Sequence, residues 1–177
     1  GVAYYHHDFW GDRMSDFKSS ISSLTQETKL ADLYRTGLSS CEGIIFEIMT
    51  TLANEENHGT VFHCAAGKDR TGMVAALLLG LVGVPDDTII ADYALTALYL
   101  EDSHRDHSNL DPLFIPEGKS ENLDAVALPL YFSSCLPGTM ALVLDFLRDH
   151  YGSIEGYVRE IGLSEDQIRH LKAKFLE

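Results

Sequence analysis

A nucleophile, two cations, a carboxylate and a hydroxyl stand together in His63-Cys64-Ala65-Ala66-Gly67-Lys68-Asp69-Arg70-Thr71-Gly72. The β-prone run Thr60-Val61-Phe62 precedes this stretch and the apolar run Met73 to Val82 follows it, an order that reads strand, tight loop, buried helix. In such a loop the backbone N–H groups of residues 65 to 70 turn toward one point, and the helix behind them aims its first unpaired N–H groups at the same point. The product is an anion cradle, with Ala65, Ala66, Gly67, Lys68, Asp69 and Arg70 as its phosphate-binding residues. Cys64 lies at the base, where amides, helix N-terminus and the Arg70 guanidinium favour thiolate over thiol. A free thiol titrates near about 8.5, and comparable surroundings bring it to roughly 3.5 to 7.5. Arg70, six residues on, can grip two oxygens of a phosphoryl group held over the sulfur. The Thr71 hydroxyl can hydrogen-bond the sulfur, steadying it as nucleophile and later as leaving group. Gly67 permits a positive φ where the loop reverses, Gly72 lets the helix start close to its neighbours, and His63 orders the loop through hydrogen bonds.

This Cys-(five residues)-Arg-Thr arrangement resembles the signature loop of the cysteine-dependent protein tyrosine phosphatase family. The fuller string HCAAGKDRTG is similar to the subgroup of the mycobacterial tyrosine phosphatase B and its bacterial and fungal relatives. Gly83-Val84-Pro85-Asp86-Asp87, Tyr93-Ala94-Leu95-Thr96, Tyr151 to Tyr157 and Ile161-Gly162-Leu163-Ser164 extend the likeness over residues 40 to 100 and 137 to 177. The resemblance implies an α/β fold, with a phosphatase-like central sheet flanked by helices and a helix-rich C-terminal half. Only two strands are readable here, and the Arg-Asp-hydrophobic-Gly-Gly pattern that relatives carry upstream is absent, so the family's N-terminal strands are expected to be missing from an N-terminally truncated chain.

The same resemblance implies phosphomonoester hydrolysis through a phosphocysteine. Cys64, Arg70, Asp69 and Thr71 are then the catalytic residues, and Asp69 is the acid or the group that orders the water. Asp8 and Asp12, in the loop His6 to Asp12, are the alternative general acids. Lys68 extends positive potential at the mouth and resembles the lysine that relatives use for substrates with extra phosphates. No metal or organic cofactor is required. The expected partner is a phosphorylated protein or peptide, on phosphotyrosine or with dual specificity, and the alternative is a phosphoinositide. Read without the resemblance, the loop leaves open a sulfurtransferase, a structural turn, or a catalytically inactive phosphate-binding module.

A formal charge of -14 argues against nucleic acid, which needs a basic face, and against lasting attachment to an anionic membrane. The loop therefore has to generate positive potential locally, from backbone dipoles, Lys68 and Arg70. No apolar run approaches the ~20 residues of a membrane span. Cys41, Cys64 and Cys135 make no disulfide framework, so a reduced, cytoplasmic setting is expected. Pairing of Cys64 with Cys41 or Cys135 under oxidation would act as a redox brake.

The positioning elements follow from periodicity. Val2 to Tyr5 reads as a strand. Leu30, Leu33, Tyr34 and Leu38 share one helical face, and Ile44, Ile45, Ile48, Met49 and Leu52 another, with Ser39 or Ser40 as the cap between them. The path from the first strand through these helices to Thr60-Val61-Phe62 fits a right-handed crossover. Gly83 stops the loop helix, Pro85 opens a helix over Thr88 to Leu100 that carries Tyr93 as a core or rim residue, and Pro137 starts a helix over Met140 to Tyr151 that Gly152 ends. Two short helices follow, the last with a capping box from Ser164 to Gln167. One domain over 1–177 is expected, with 101–136 as a lid or flexible insertion. His104 and His107 in that insertion read as isolated surface histidines, because no further Cys or His completes a ligand set.

Overall fold

Apolar residues three and four apart have to be covered, and in this chain helices cover one another. The computed structural model describes residues 1–10, 26–57, 59–101 and 135–176, with side chains for 1–10, 30–57, 59–100 and 135–176. These hold α1 Gln26–Ser40, α2 Glu42–Ala53, α3 Asp69–Leu81, α4 Asp86–Glu101, α5 Pro137–Tyr151, α6 Ile154–Glu160 and α7 Glu165–Leu176. Asp12, the insertion to residue 134 and both of its histidines lie outside the described residues.

Helix α3 is buried on most of its circumference through Met73, Val74, Ala76, Leu77, Leu78 and Leu81, as expected for a helix apolar all round. It packs on α4, α6 and α7. Helix α5 buries Met140, Val143, Leu144 and Leu147 and packs on α1, α4 and α6. Tyr34 and Leu38 of α1 and Ile45, Met49 and Leu52 of α2 complete the core along the predicted faces. The Tyr157 hydroxyl donates to the Leu38 carbonyl at 2.8 Å and ties α6 to α1. The predicted capping box of α7 is present: the Gln167 amide donates to Ser164 Oγ at 3.3 Å, and Gln167 Oε1 accepts from the Ser164 amide at 2.8 Å.

The predicted central sheet is overturned, and with it the strand crossover. Among the described residues there is no strand. Val2 to Tyr5 has no regular structure and is exposed, and so is Val61 in the run before Cys64, at 86%. The physical reason is that a strand draws its backbone hydrogen bonds from a neighbouring strand. A β-prone run with no partner among the described residues has no ladder to join there, whatever its composition. Apolar packing helps to anchor the N-terminal segment instead. Phe9 and Trp10 are buried and meet edge to face at 5.0 Å between ring centroids, and Trp10 lies where a side chain on Gly37 of α1 would come within 3.1 Å.

The cap between α1 and α2 also differs from expectation. Helix α1 runs through Ser39 and Ser40, and Ser39 Oγ bonds back to the Arg35 carbonyl at 3.1 Å. Cys41 takes the N-cap position of α2 without a side-chain cap. No described helix is long and apolar enough to cross a membrane.

Candidate active site

Helix α3 starts at Asp69, four residues earlier than its apolar pattern alone indicates, so Asp69, Arg70, Thr71 and Gly72 form its first turn. The Gly72 amide closes that turn on the Lys68 carbonyl at 2.7 Å. Gly67 has φ 67, the left-handed conformation predicted for the point where the loop reverses. Ala65, Ala66 and Gly67 are exposed, and Cys64 and Arg70 are half-buried. His63 is exposed, and its Nδ1–H donates to the carbonyl oxygen of Cys64 at 3.0 Å. The imidazole thus braces the backbone at the cysteine.

Burial alone would push the Cys64 thiol up. The Thr71 hydroxyl beside it, the amides of Thr71 and Lys68, and the charge of Arg70 outweigh it and hold the thiol below its ordinary value. Thr71 Oγ1 is buried with no fully formed hydrogen bond, so the group its donation can satisfy is the sulfur beside it. A thiolate with lone pairs to spare suits that hydroxyl better than a thiol does.

Lys68 lies elsewhere than the mouth. Its side chain is buried, 3% exposed, and Nζ stands 3.5 Å from Asp69 Oδ1. The chain carries this cation inward, where it serves the loop's own carboxylate. Asp69 itself is about 30% exposed in its side chain. Asp8 is exposed, in a segment held by Phe9 and Trp10 and by His7, whose Nδ1 is 3.4 Å from Glu47 of α2.

Three residues behind the loop were not predicted as part of the site. Tyr34 of α1 donates to Asp69 Oδ1, and its oxygen lies 2.9 Å from the hydroxyl of Tyr93 of α4. Cys135, buried just ahead of α5, is in hydrogen-bonding contact with Tyr93 and Thr96. Burial keeps the Cys135 thiol above its ordinary value, opposite in direction to Cys64. All three described cysteines are free thiols. The available signal for the tyrosines was their place on apolar helical faces, since a buried phenol has to find a polar partner.

The chain matches the family described as "Tyrosine phosphatase family" over residues 1–177. It is similar to a "Tyrosine-protein phosphatase" of Nostoc commune, 30% identical over 179 residues that cover 97% of this chain and 56% of that protein. It is also similar to the "Triple specificity protein phosphatase PtpB" of Mycobacterium tuberculosis, 31% identical over 123 residues that cover 64% of this chain and 42% of that protein. The chain thus spans about half the length of these curated relatives. With a match that runs from end to end and carries the cysteine loop within it, the chain belongs to the tyrosine phosphatase family.

Proposed function

We propose that the chain is a cysteine-dependent protein tyrosine phosphatase that hydrolyses phosphomonoesters in two displacements. The observation that carries the reading is the loop itself: Gly67 reverses it at φ 67, Asp69 to Gly72 form the first turn of α3, and the half-buried Cys64 beside Arg70 has its thiol held below the ordinary value. The thiolate attacks phosphorus, the S–P bond forms as the P–O bond to the leaving group breaks, and a proton passes to the departing oxygen. Water then attacks the phosphocysteine, releases inorganic phosphate and restores the thiolate. Arg70 and the amides of the loop hold the equatorial oxygens, where charge spreads in both transition states. Asp69, one residue from Arg70 and partly open to solvent, serves as the acid in the first step or orders the water in the second.

Phosphotyrosine in proteins or peptides is the proposed substrate, which family membership supports. Dual specificity is part of the proposal, since a relative carries the name "Triple specificity protein phosphatase". Inositol phospholipids stand second. The high negative charge of the chain, -14, disfavours an anionic lipid surface.

Phosphate release from phosphotyrosine peptides, measured beside a phosphoinositide panel, tests activity and substrate together. Cys64→Ser should abolish turnover and keep vanadate binding, and Arg70→Ala should lose both. Normal hydrolysis by the serine variant would remove Cys64 as nucleophile. A burst of p-nitrophenol from p-nitrophenyl phosphate separates an enzyme from an inactive phosphate-binding module.

A further inference from the structure

Two tyrosines from helices far apart in sequence meet behind the loop. Tyr34 is fully buried and Tyr93 nearly so, and their rings pack edge to face with centroids 6.2 Å apart. Each phenol has one proton to give. Tyr34 donates its proton to Asp69 Oδ1, so in the 2.9 Å contact between the hydroxyls Tyr93 must be the donor. The order of donation is Tyr93 to Tyr34 to Asp69. Burial, and then the neighbouring Asp69 charge on Tyr34, push that phenol well above its ordinary value, and burial does the same for Tyr93. Both therefore remain protonated donors at any working pH.

Lys68 Nζ faces the same Oδ1 at 3.5 Å. One carboxylate oxygen is thus held from the inside by a phenol and an ammonium, and Oδ2 has a part in neither contact. We infer that Tyr34 and Tyr93 are positioning residues for Asp69: they lock its Oδ1 against the core, so that Oδ2 is the oxygen left for the leaving group or the water. The inference rests on the proposed role of Asp69 in the reaction. The packing is built around the pair, because Gly72 leaves the space that the Tyr93 ring fills. A donor chain of this kind restricts the carboxyl's rotation without touching substrate, and linked hydrogen bonds strengthen one another.

The test is a double-mutant cycle in the intact chain, with Tyr34→Phe, Tyr93→Phe, Asp69→Asn and the Tyr34→Phe/Asp69→Asn pair assayed on p-nitrophenyl phosphate and a phosphotyrosine peptide. Tyr34→Phe should lower kcat by about 10- to 100-fold, the range for a hydrogen bond to a charged group, and Tyr93→Phe by less. KM and the Kd for vanadate should stay within about twofold, since loop and thiolate are untouched. In the Asp69→Asn background, Tyr34→Phe should cost nothing further. Wild-type kcat in Tyr34→Phe, losses that multiply in the double variant, or loss of vanadate binding together with kcat would each overturn the positioning role. Wild-type kcat in Asp69→Asn would remove Asp69 and this inference together, and would leave the Cys64 reading standing.

Discussion

Gly72 passes directly under the ring of Tyr93: a side-chain carbon on Gly72 would stand 3.0 Å from Cδ2 and 3.2 Å from Cε2 of that ring. It is space that requires glycine here, since the backbone of Gly72 is ordinary α-helix. The ring is buried and its hydroxyl is bonded to Tyr34, so it has little room to retreat. Gly72→Ala therefore sets an overpacking cost of about 1–3 kcal/mol against a helix-propensity gain of up to ~1 kcal/mol. The net expectation is a Tm lower by a few degrees, with a fall in kcat as the displaced ring disturbs Tyr34 and Asp69. Thermal melts beside initial rates check it, and unchanged values of both would show that the ring yields freely.

The Thr71 hydroxyl is the strongest of the neighbouring groups that lower the Cys64 thiol. Burial would otherwise raise it, so removing the hydroxyl has a definite sign: the thiol moves up. In Thr71→Ala the rate of alkylation by iodoacetamide should reach half its maximum at a higher pH than in the native protein. Thr71→Ser keeps the oxygen and should stay near the native midpoint. Because the thiolate is also the leaving group in the second step, breakdown of the phosphocysteine should slow in Thr71→Ala by roughly tenfold or more. A midpoint that does not move would assign the shift to amides and Arg70 alone.

How far the sequence could be read depended on whether the deciding partner was local. The faces of Leu30, Tyr34 and Leu38 and of Ile45, Met49 and Leu52 came through because helical periodicity is carried within each segment. So did the left-handed Gly67 and the Ser164 capping box, where the requirement is set within a few residues. Val61 and Val2 to Tyr5 failed for the converse reason, since β-branched and aromatic residues fit a sheet without creating one. Ser39 and Ser40 are good caps that α1 absorbed before they could act as such. The link from Tyr34 to Asp69 spans 35 positions, and periodicity says which residues turn inward without saying which polar tip meets which.

Lys68 illustrates the same limit and leads to a prediction about substrates. At 3% exposed and turned toward Asp69, its ammonium is placed to serve that carboxylate, whereas a mouth lysine would meet a second phosphate. Lys68→Met should therefore reduce turnover of a phosphotyrosine peptide and of a phosphoinositide by similar factors. A mouth lysine would instead give a loss confined to the substrate with more phosphates. Breaking a buried ion pair from one side costs about 3–5 kcal/mol when both partners are fully enclosed; Asp69 is partly open, so the loss of stability should be smaller. Parallel kcat/KM values on the two substrates decide between the positions.

Gly80 and Gly156 both lack room for a side chain, but against different neighbours. A carbon on Gly80 would clash with Ile154 Cδ1, the far end of a flexible chain, and one on Gly156 would clash with the Tyr151 carbonyl oxygen. An isoleucine tip can rotate away. A backbone oxygen at the turn between α5 and α6 moves only if the turn moves, and that turn also holds the Ser153 cap, with the Gly156 amide bonded to Ser153 Oγ at 2.9 Å. Gly156→Ala should cost more than Gly80→Ala, by about 1 kcal/mol or more. Urea denaturation midpoints at equal m-value measure the difference, and the reverse order would mean that α6 shifts as a unit.

Glu155 joins α6 to α7 by accepting from Arg159 Nη2 and Lys172 Nζ, each at 2.6 Å. These hydrogen bonds hold its carboxyl below the usual carboxylate range. Because the folded value is the lower one, the stabilisation is complete above the unfolded value of about 4.3 and is lost as pH falls through the folded value. With the side chain about a third exposed, solvent screening limits the contribution to under about 1 kcal/mol. Glu155→Gln should therefore melt slightly below the native protein at neutral pH, and the gap should close as the pH is taken below about 4. High salt should narrow it as well, since half-exposed charges are screened. A gap that widened on acidification would require the native carboxyl to be raised on folding, against the two donors that face it.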